Sequence, residues 1–473
     1  MEIKRTTASH YQFMFPFLLK KNQKDHLRKQ LLQEGFEFFR LKDEGQGEKF
    51  YGDHHVIHRK LEKYFLPNIE QLLFPESMMS KRDIKRFTKK LDLSGTLAAN
   101  FLEIPFHIPS FDILICPFHI GIITIRVNLP ENLAFDESIE FVDLFRTIEP
   151  LEKKDAAKIS VDGHEYEQMK DFLFKELTPF IADYLENADE QAPLFGSLPF
   201  FMNEKMFVIS YVALTAESQI DCMDLYRIGH IYGCDEQGQA RLGPTNPDFL
   251  NRYYDKRIYD AWANDTYYGV TNYNFFCLTK SDSPDLQNKI ISAMYGEHYY
   301  SVLLYFFYRI VLMKLMHSQS DTNINQNEER IEELIIDITE FSANYYFPEV
   351  NNSTFGKDMY EIVKEVFRIE YLQSHLGNTL ETLYQNHERL TANRTNNLLQ
   401  VLTIYSVISG ILGMNIAVDD LKNGWNWNVI SHFSWVEYFG LFLIISAMAI
   451  SMVMGYYFVK KYIRGLIKKR KNS

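Results

Sequence analysis

Two uncharged stretches stand out toward the C-terminal end of the chain. LLQVLTIYSVISGILGMNIAV (398–418) carries no charge over 21 positions, and YFGLFLIISAMAISMVMGYYFV (438–459) carries none over 22. At ~1.5 Å per residue, either crosses a hydrocarbon core of ~30 Å as a helix. The tail KKYIRGLIKKRKNS (460–473) holds seven basic residues and no acid, while the connecting loop holds Asp419, Asp420 and Lys422. Basic flanks stay on the cytoplasmic side. The pattern therefore predicts a two-helix transmembrane hairpin with its loop outside, and with the tail and the first 397 residues inside. Trp425, Trp427 and Trp435 suit the interface. A third apolar run, YYSVLLYFFYRIVLMKLM (299–316), contains Arg309 and Lys314. Each would cost ~2.5–3.5 kcal/mol at a bilayer centre, so this run reads as a buried cytosolic helix.

Before the spans the period changes twice. FDILICPFHIGIITIRVNL (111–129) is rich in β-branched residues and punctuated by Pro and Gly, as adjacent strands are, and KMFVISYVALTA (205–216) is a further strand candidate. Helical periods appear in 138–148 and 166–186. From 286 onward the strand signal vanishes and helices are predicted over 286–317, 324–346 and 354–397. The last carries a seam at Met359, Ile362, Val366, Ile369, Leu376, Leu380, Leu383 and Leu390, with Gln373 and His387 in register. No proline interrupts 354–417, so one helix is expected to run from the cytosolic region into the first span, with Gly377 its weakest point. The seam fits either a packed intramolecular hairpin or a long oligomeric stalk. The organisation expected is a cytosolic α/β domain (1–285), a helical stalk region (286–397) and a membrane domain (398–473).

Composition narrows the function. The 473 residues suffice for two or three domains, and 46% apolar with 15% aromatic content fits a folded chain. A net charge of −12 argues against a nucleic-acid polymer as partner. Cys116, Cys222, Cys234 and Cys277 lie far apart and read as reduced thiols. The short run FMFPFLL (13–19) has no signal-peptide pattern. No Walker loop, GxGxxG or nucleophile elbow appears, so an enzyme is not expected.

Gly413, Met414 and Asn415 end the first span. NRTNNLLQVLTI (393–404) precedes it, and the basic tail follows the second. In this order the features resemble the CorA family of divalent metal-ion channels, most sharply over 354–473. The segment from FHIGIITIRVNLP to SIEFVDLFRTIEP is also similar to that family's cytosolic domain. The triplet here is flanked by Leu412 and Ile416 where the family usually has aromatics, and the interval from VLTI to GMN is shorter by about seven residues, two helical turns. The resemblance implies a homopentameric, multi-pass channel of the cell membrane, with both termini cytoplasmic. It implies Mg²⁺ or a related divalent cation as substrate and regulatory ion, no other cofactor, and gating by the cytosolic domain.

The chemistry suits that implication. Two spans cannot enclose a pore, so several copies must surround an axis. Mg²⁺ sheds water reluctantly, and a ring of Asn415 carboxamides accepts hydrogen bonds from the hydrated ion without holding it as tightly as carboxylates would. Asp419 and Asp420, further out, concentrate cations. Asn396, Leu399, Thr403, Ser406, Gly410 and Gly413 share one helix face, the expected pore lining, and Met414 positions the loop. Ile404, Ile408 and Ile411 form an aliphatic stripe expected to meet the second span or lipid. Leu399 and Leu402 are candidate dewetting gates. Elsewhere, His54 and His58 beside Asp53, and the turn DGHEYEQ (162–168), are weaker candidates for metal binding. Two other readings fit the same architecture: a ligand-gated membrane effector of stress or defence type, and a non-conducting membrane-anchored binding protein.

Overall fold

The apolar runs of the N-terminal region become the middle of one large sheet. The computed structural model describes residues 3–415, apart from single positions and short stretches of which 151–156, 186–204 and 321–327 are the longest, together with scattered positions between 431 and 456. By backbone contacts the chain divides into two compact units, Met1–Leu380 and Glu381–Ser473.

Unit 1 is built on eleven strands: β1 (Thr6–Leu18), β2 (Glu37–Phe38), β3 (Lys85–Ala99), β4 (Leu102–Ile115), β5 (Ile120–Leu129), β6 (Lys158–Val161), β7 (His164–Tyr166), β8 (Phe207–Leu214), β9 (Ile258–Ala263), β10 (Thr266–Val270) and β11 (Asn274–Lys280). They pair in the order β7-β6-β3-β4-β5-β1-β8-β11-β10-β9, with β2 against β3. All pairs are antiparallel except β11 with β8. The run 111–129 is the β4–β5 hairpin. It turns through Phe118 and His119, both at positive φ (55° and 57°), a backbone that matches strand twist in tight hairpins. Gly121 faces Phe17 across β5–β1. A Cβ there would stand 2.2 Å from the Phe17 ring, so this position excludes a side chain.

Both faces of the central strands are covered, which explains their unbroken burial. On one face helix α1 (Phe135–Arg146) packs Phe145 against Phe13, ring centroids 4.6 Å apart. On the other lie α2 (Pro284–Tyr295) and α3 (Glu297–Ser320). Gln12 donates to the carbonyl of Met294 at 2.8 Å, and Tyr299 meets Thr124 at 3.0 Å. Among the described residues, Pro284–Gln319 is the one helical stretch long and apolar enough to cross a membrane, but 78% of its apolar window is buried within the protein. Its charges are anchored there: Lys314 donates to the carbonyl of Phe118 at 2.5 Å, and Arg309 lies over Phe367 at 5.1 Å.

Between sheet and helices sits a buried ionic cluster. Arg126 grips Asp112 with two guanidinium nitrogens, at 3.0 and 2.5 Å, and Arg86 reaches the same carboxylate at 2.9 Å. All three side chains are shielded from solvent. Burial alone would raise the Asp112 pKa, but Arg126 and then Arg86 outweigh it and hold the carboxyl below its ordinary range. Tyr51 and Tyr300 accept hydrogen bonds from Arg86, so the cluster ties α3 to β3.

Three sequence expectations change. Helix 286–317 is split at Gly296 into α2 and α3. The helix expected over 166–186 is β7 followed by short turns, with π-helical Phe172–Leu177 ending before Pro179, whose ring and missing N–H oppose continuation. The single helix from 354 is broken at Arg368, which takes a left-handed conformation (φ 56°) between α5 (Thr354–Phe367) and α6 (Ile369–Asn415). Its amide closes the end of α5 on the carbonyls of Glu365 and Lys364, and its guanidinium lies 4.3 Å over Tyr371. The seam residues Met359, Val366, Ile369 and Leu376 are buried within the chain. Gln373, in register with them, donates to Ser342 of α4 (Glu328–Asn344) at 3.0 Å. Over this part the seam is filled by the chain's own helices. Gly377 lies within α6 without interrupting it.

Replacing Asp112 by Asn is expected to cost about 3–5 kcal/mol, because two buried guanidiniums lose their carboxylate. Thermal unfolding followed by circular dichroism reads this directly. Since the folded carboxyl titrates below its unfolded value, the contribution is present at neutral pH. It fades as pH falls through the ordinary carboxylate range toward the depressed folded value.

Candidate ion pathway

The candidate pathway is carried by α6, whose 47 residues end at Asn415. Gly413, Met414 and Asn415 are helical and are the last described residues of this stretch. Asp419 and Asp420 lie outside the described residues.

Along the helix, Asn396, Leu399, Thr403, Ser406 and Gly410 are all exposed in the single chain. The Thr403 hydroxyl donates to the carbonyl of Leu399 at 2.7 Å. Its proton is thereby used within the helix and its lone pairs remain to accept, the polarity a hydrated cation needs. Leu399 itself is 54% exposed. The other large aliphatics are equally open: Leu398, Val401, Leu402, Ile404 and Val407 are each between 45% and 62% exposed. The stripe containing Ile404 is thus not distinguished from the expected pore face by burial. What distinguishes the faces is Tyr405, whose hydroxyl hydrogen-bonds Ser446 of the second apolar segment. At 3.6 residues per turn, Tyr405 lies about 100–160° round the helix from Leu399, Thr403, Ser406 and Gly410. The second segment is therefore met on a different side from the small and polar stripe. The sequence pointed to the isoleucines as meeting the second segment or lipid; Ile404 is exposed in the single chain, the side chains of Ile408 and Ile411 lie outside those described, and Tyr405 and Ser446 supply a polar contact to the second segment.

The histidine candidates go elsewhere. His58 is buried, with Nε2 2.9 Å from the Tyr51 hydroxyl. His54 packs edge-on against His10, centroids 4.7 Å apart. Asp53 lies outside the described residues, and among the described residues no three His, Cys, Asp or Glu side chains converge as a metal-ligand set. His164 is exposed on β7. All four cysteines are free, three of them buried and Cys222 half-buried.

No protein-family model matches the chain, and no curated protein or solved structure matches it either. The likeness to CorA channels therefore rests on the residues themselves.

If the stripe faces water, cysteines placed at Thr403 and Ser406 will react with a membrane-impermeant thiol reagent in reconstituted vesicles. A cysteine at Ile404 will react at least about tenfold more slowly, a gap of ~1.4 kcal/mol in effective barrier. A Cys222→Ser background removes the one half-buried native thiol. Equal rates at all three positions would remove the assignment of the stripe.

Proposed function

We propose that this chain is one protomer of an oligomeric, CorA-like membrane channel that passes Mg²⁺ or a related divalent cation. The observation that carries the reading is the exposed aliphatic surface of α6 leading directly to Gly413-Met414-Asn415. An apolar helix open on every side in a single chain is suited to lipid and to other copies, not to water. Five copies follow from the family resemblance. The Asn415 carboxamides then form the entrance ring, where they accept hydrogen bonds from the water shell of Mg²⁺. Thr403 and Ser406 offer oxygen acceptors below it, and Leu399 narrows the inner end as an apolar constriction. Asp419 and Asp420 raise the local cation concentration outside the entrance. Flux is passive and follows the membrane potential, ~2.3 kcal/mol per elementary charge per 100 mV. The sheet-bearing unit remains on the cytoplasmic side with the basic tail.

The test is Mg²⁺ uptake into proteoliposomes of the purified protein. Wild type is expected to take up Mg²⁺, and Asn415→Ala to do so at least about tenfold more slowly, the scale of ~1.4 kcal/mol of lost ion stabilisation per decade. Uptake that is unchanged in Asn415→Ala, or absent in wild type, would overturn the proposal.

A further inference from the structure

A polar cavity of about 550 Å³ opens in unit 1 beside β1 and α2. This is within the range of small-molecule sites, ~300–1,000 Å³. His10, His54, His107, Lys49, Lys90 and Asn128 are among its walls. Two acids also line it: Asp92, which is 3.3 Å from His107 Nε2, and Glu131. His10 is fixed by Asn128, at 2.8 Å from its Nδ1, and stacks on Tyr211 with centroids 5.9 Å apart. Burial first, then the neighbouring His54, lowers the His10 pKa to about 4, so its ring is neutral near pH 7 and serves as a hydrogen-bonding group.

Behind His10 the wall holds a second, water-sized chamber of about 10 Å³, lined by Gln12, Tyr211 and Tyr295. The Gln12 side-chain oxygen and the Tyr211 hydroxyl are buried there without a hydrogen-bond partner among the described residues. Unmet polar groups of this kind are costly unless something fills the chamber. Close by lies the cluster in which two guanidiniums share the single Asp112 carboxylate, an excess of one positive charge. Arg126 is two residues along β5 from the cavity-lining Asn128, and its guanidinium lies 5.0 Å from the ring of Tyr51, next to the cavity-lining Gly52.

We propose that this cavity binds a small phosphorylated molecule. Its anionic groups meet Lys49 and Lys90 at the mouth, and a hydroxyl or bridging water reaches Gln12 and Tyr211 through the chamber. Lysine ammonium groups are the donors a phosphate requires, with Lys49 turning to it from its ion pair with Glu37, and the excess buried charge adds a fixed positive potential behind them. The proposal goes beyond ion conduction and does not depend on it, since binding is measured without flux.

The probe is inorganic pyrophosphate, titrated by calorimetry into the full chain in detergent at constant ionic strength. Lys49 and Lys90 are exposed, so Lys49→Gln with Lys90→Gln leaves the core intact. Lys158→Gln, an exposed lysine on β6 outside the cavity, is the control. Saturable binding by wild type and the control, weakened at least about tenfold in the double variant, is expected. No binding by wild type at millimolar pyrophosphate, or equal binding by all three proteins, would overturn the assignment.

Discussion

The constraint on which the functional reading depends is the fate of apolar surface along the second half of α6. Between Leu398 and Val407 the large aliphatic side chains are about half exposed on every side of the helix. Burying such a side chain fully is worth roughly 1.5–3 kcal/mol, so this surface cannot rest in water without strong pressure to associate. In the proposed channel, lipid and neighbouring copies would relieve that pressure together. An α-helix meets the bilayer's demand that backbone polar groups be satisfied internally. Tyr405 and Ser446 then act as an intramolecular fastener that leaves the small and polar stripe free to face an axis.

Unit 1 solves the opposite problem. Its apolar helix α3, long enough to cross a membrane, is buried against the sheet. Arg309 and Lys314 are held by Phe367 and by the carbonyl of Phe118, so charges that would penalise insertion become anchors. The Arg86–Asp112–Arg126 cluster fixes the same helix through Tyr300. Such a cluster adds specificity to the packing of α3 more than net stability, because the desolvation of three charges offsets most of their attraction.

Much of this was legible in the sequence. The β-branched run 111–129 was legible as two adjacent strands, with Pro117 marking the end of the first, and Arg309 and Lys314 marked 299–316 as a helix for the protein interior. Helix boundaries were less legible. The break at Arg368 has no proline or glycine to announce it; a non-glycine residue occupies the left-handed position that ends α5. The heptad seam was visible, but periodicity alone does not say whether a seam meets its own chain or another. Here Met359 through Leu376 are buried by the chain itself. The histidine-lined cavity was invisible because His10, His54 and His107 come from distant segments that only the sheet brings together.

The most direct test of the central claim is the mass of the purified protein in lipid nanodiscs, measured by native mass spectrometry. A protomer with the two proposed spans would conduct only as a ring, so the proposal predicts a closed multiple of the 55.8 kDa protomer, with five copies as the family resemblance implies. A protein that remains monomeric in the bilayer would contradict the channel, since one copy leaves no enclosed path for an ion.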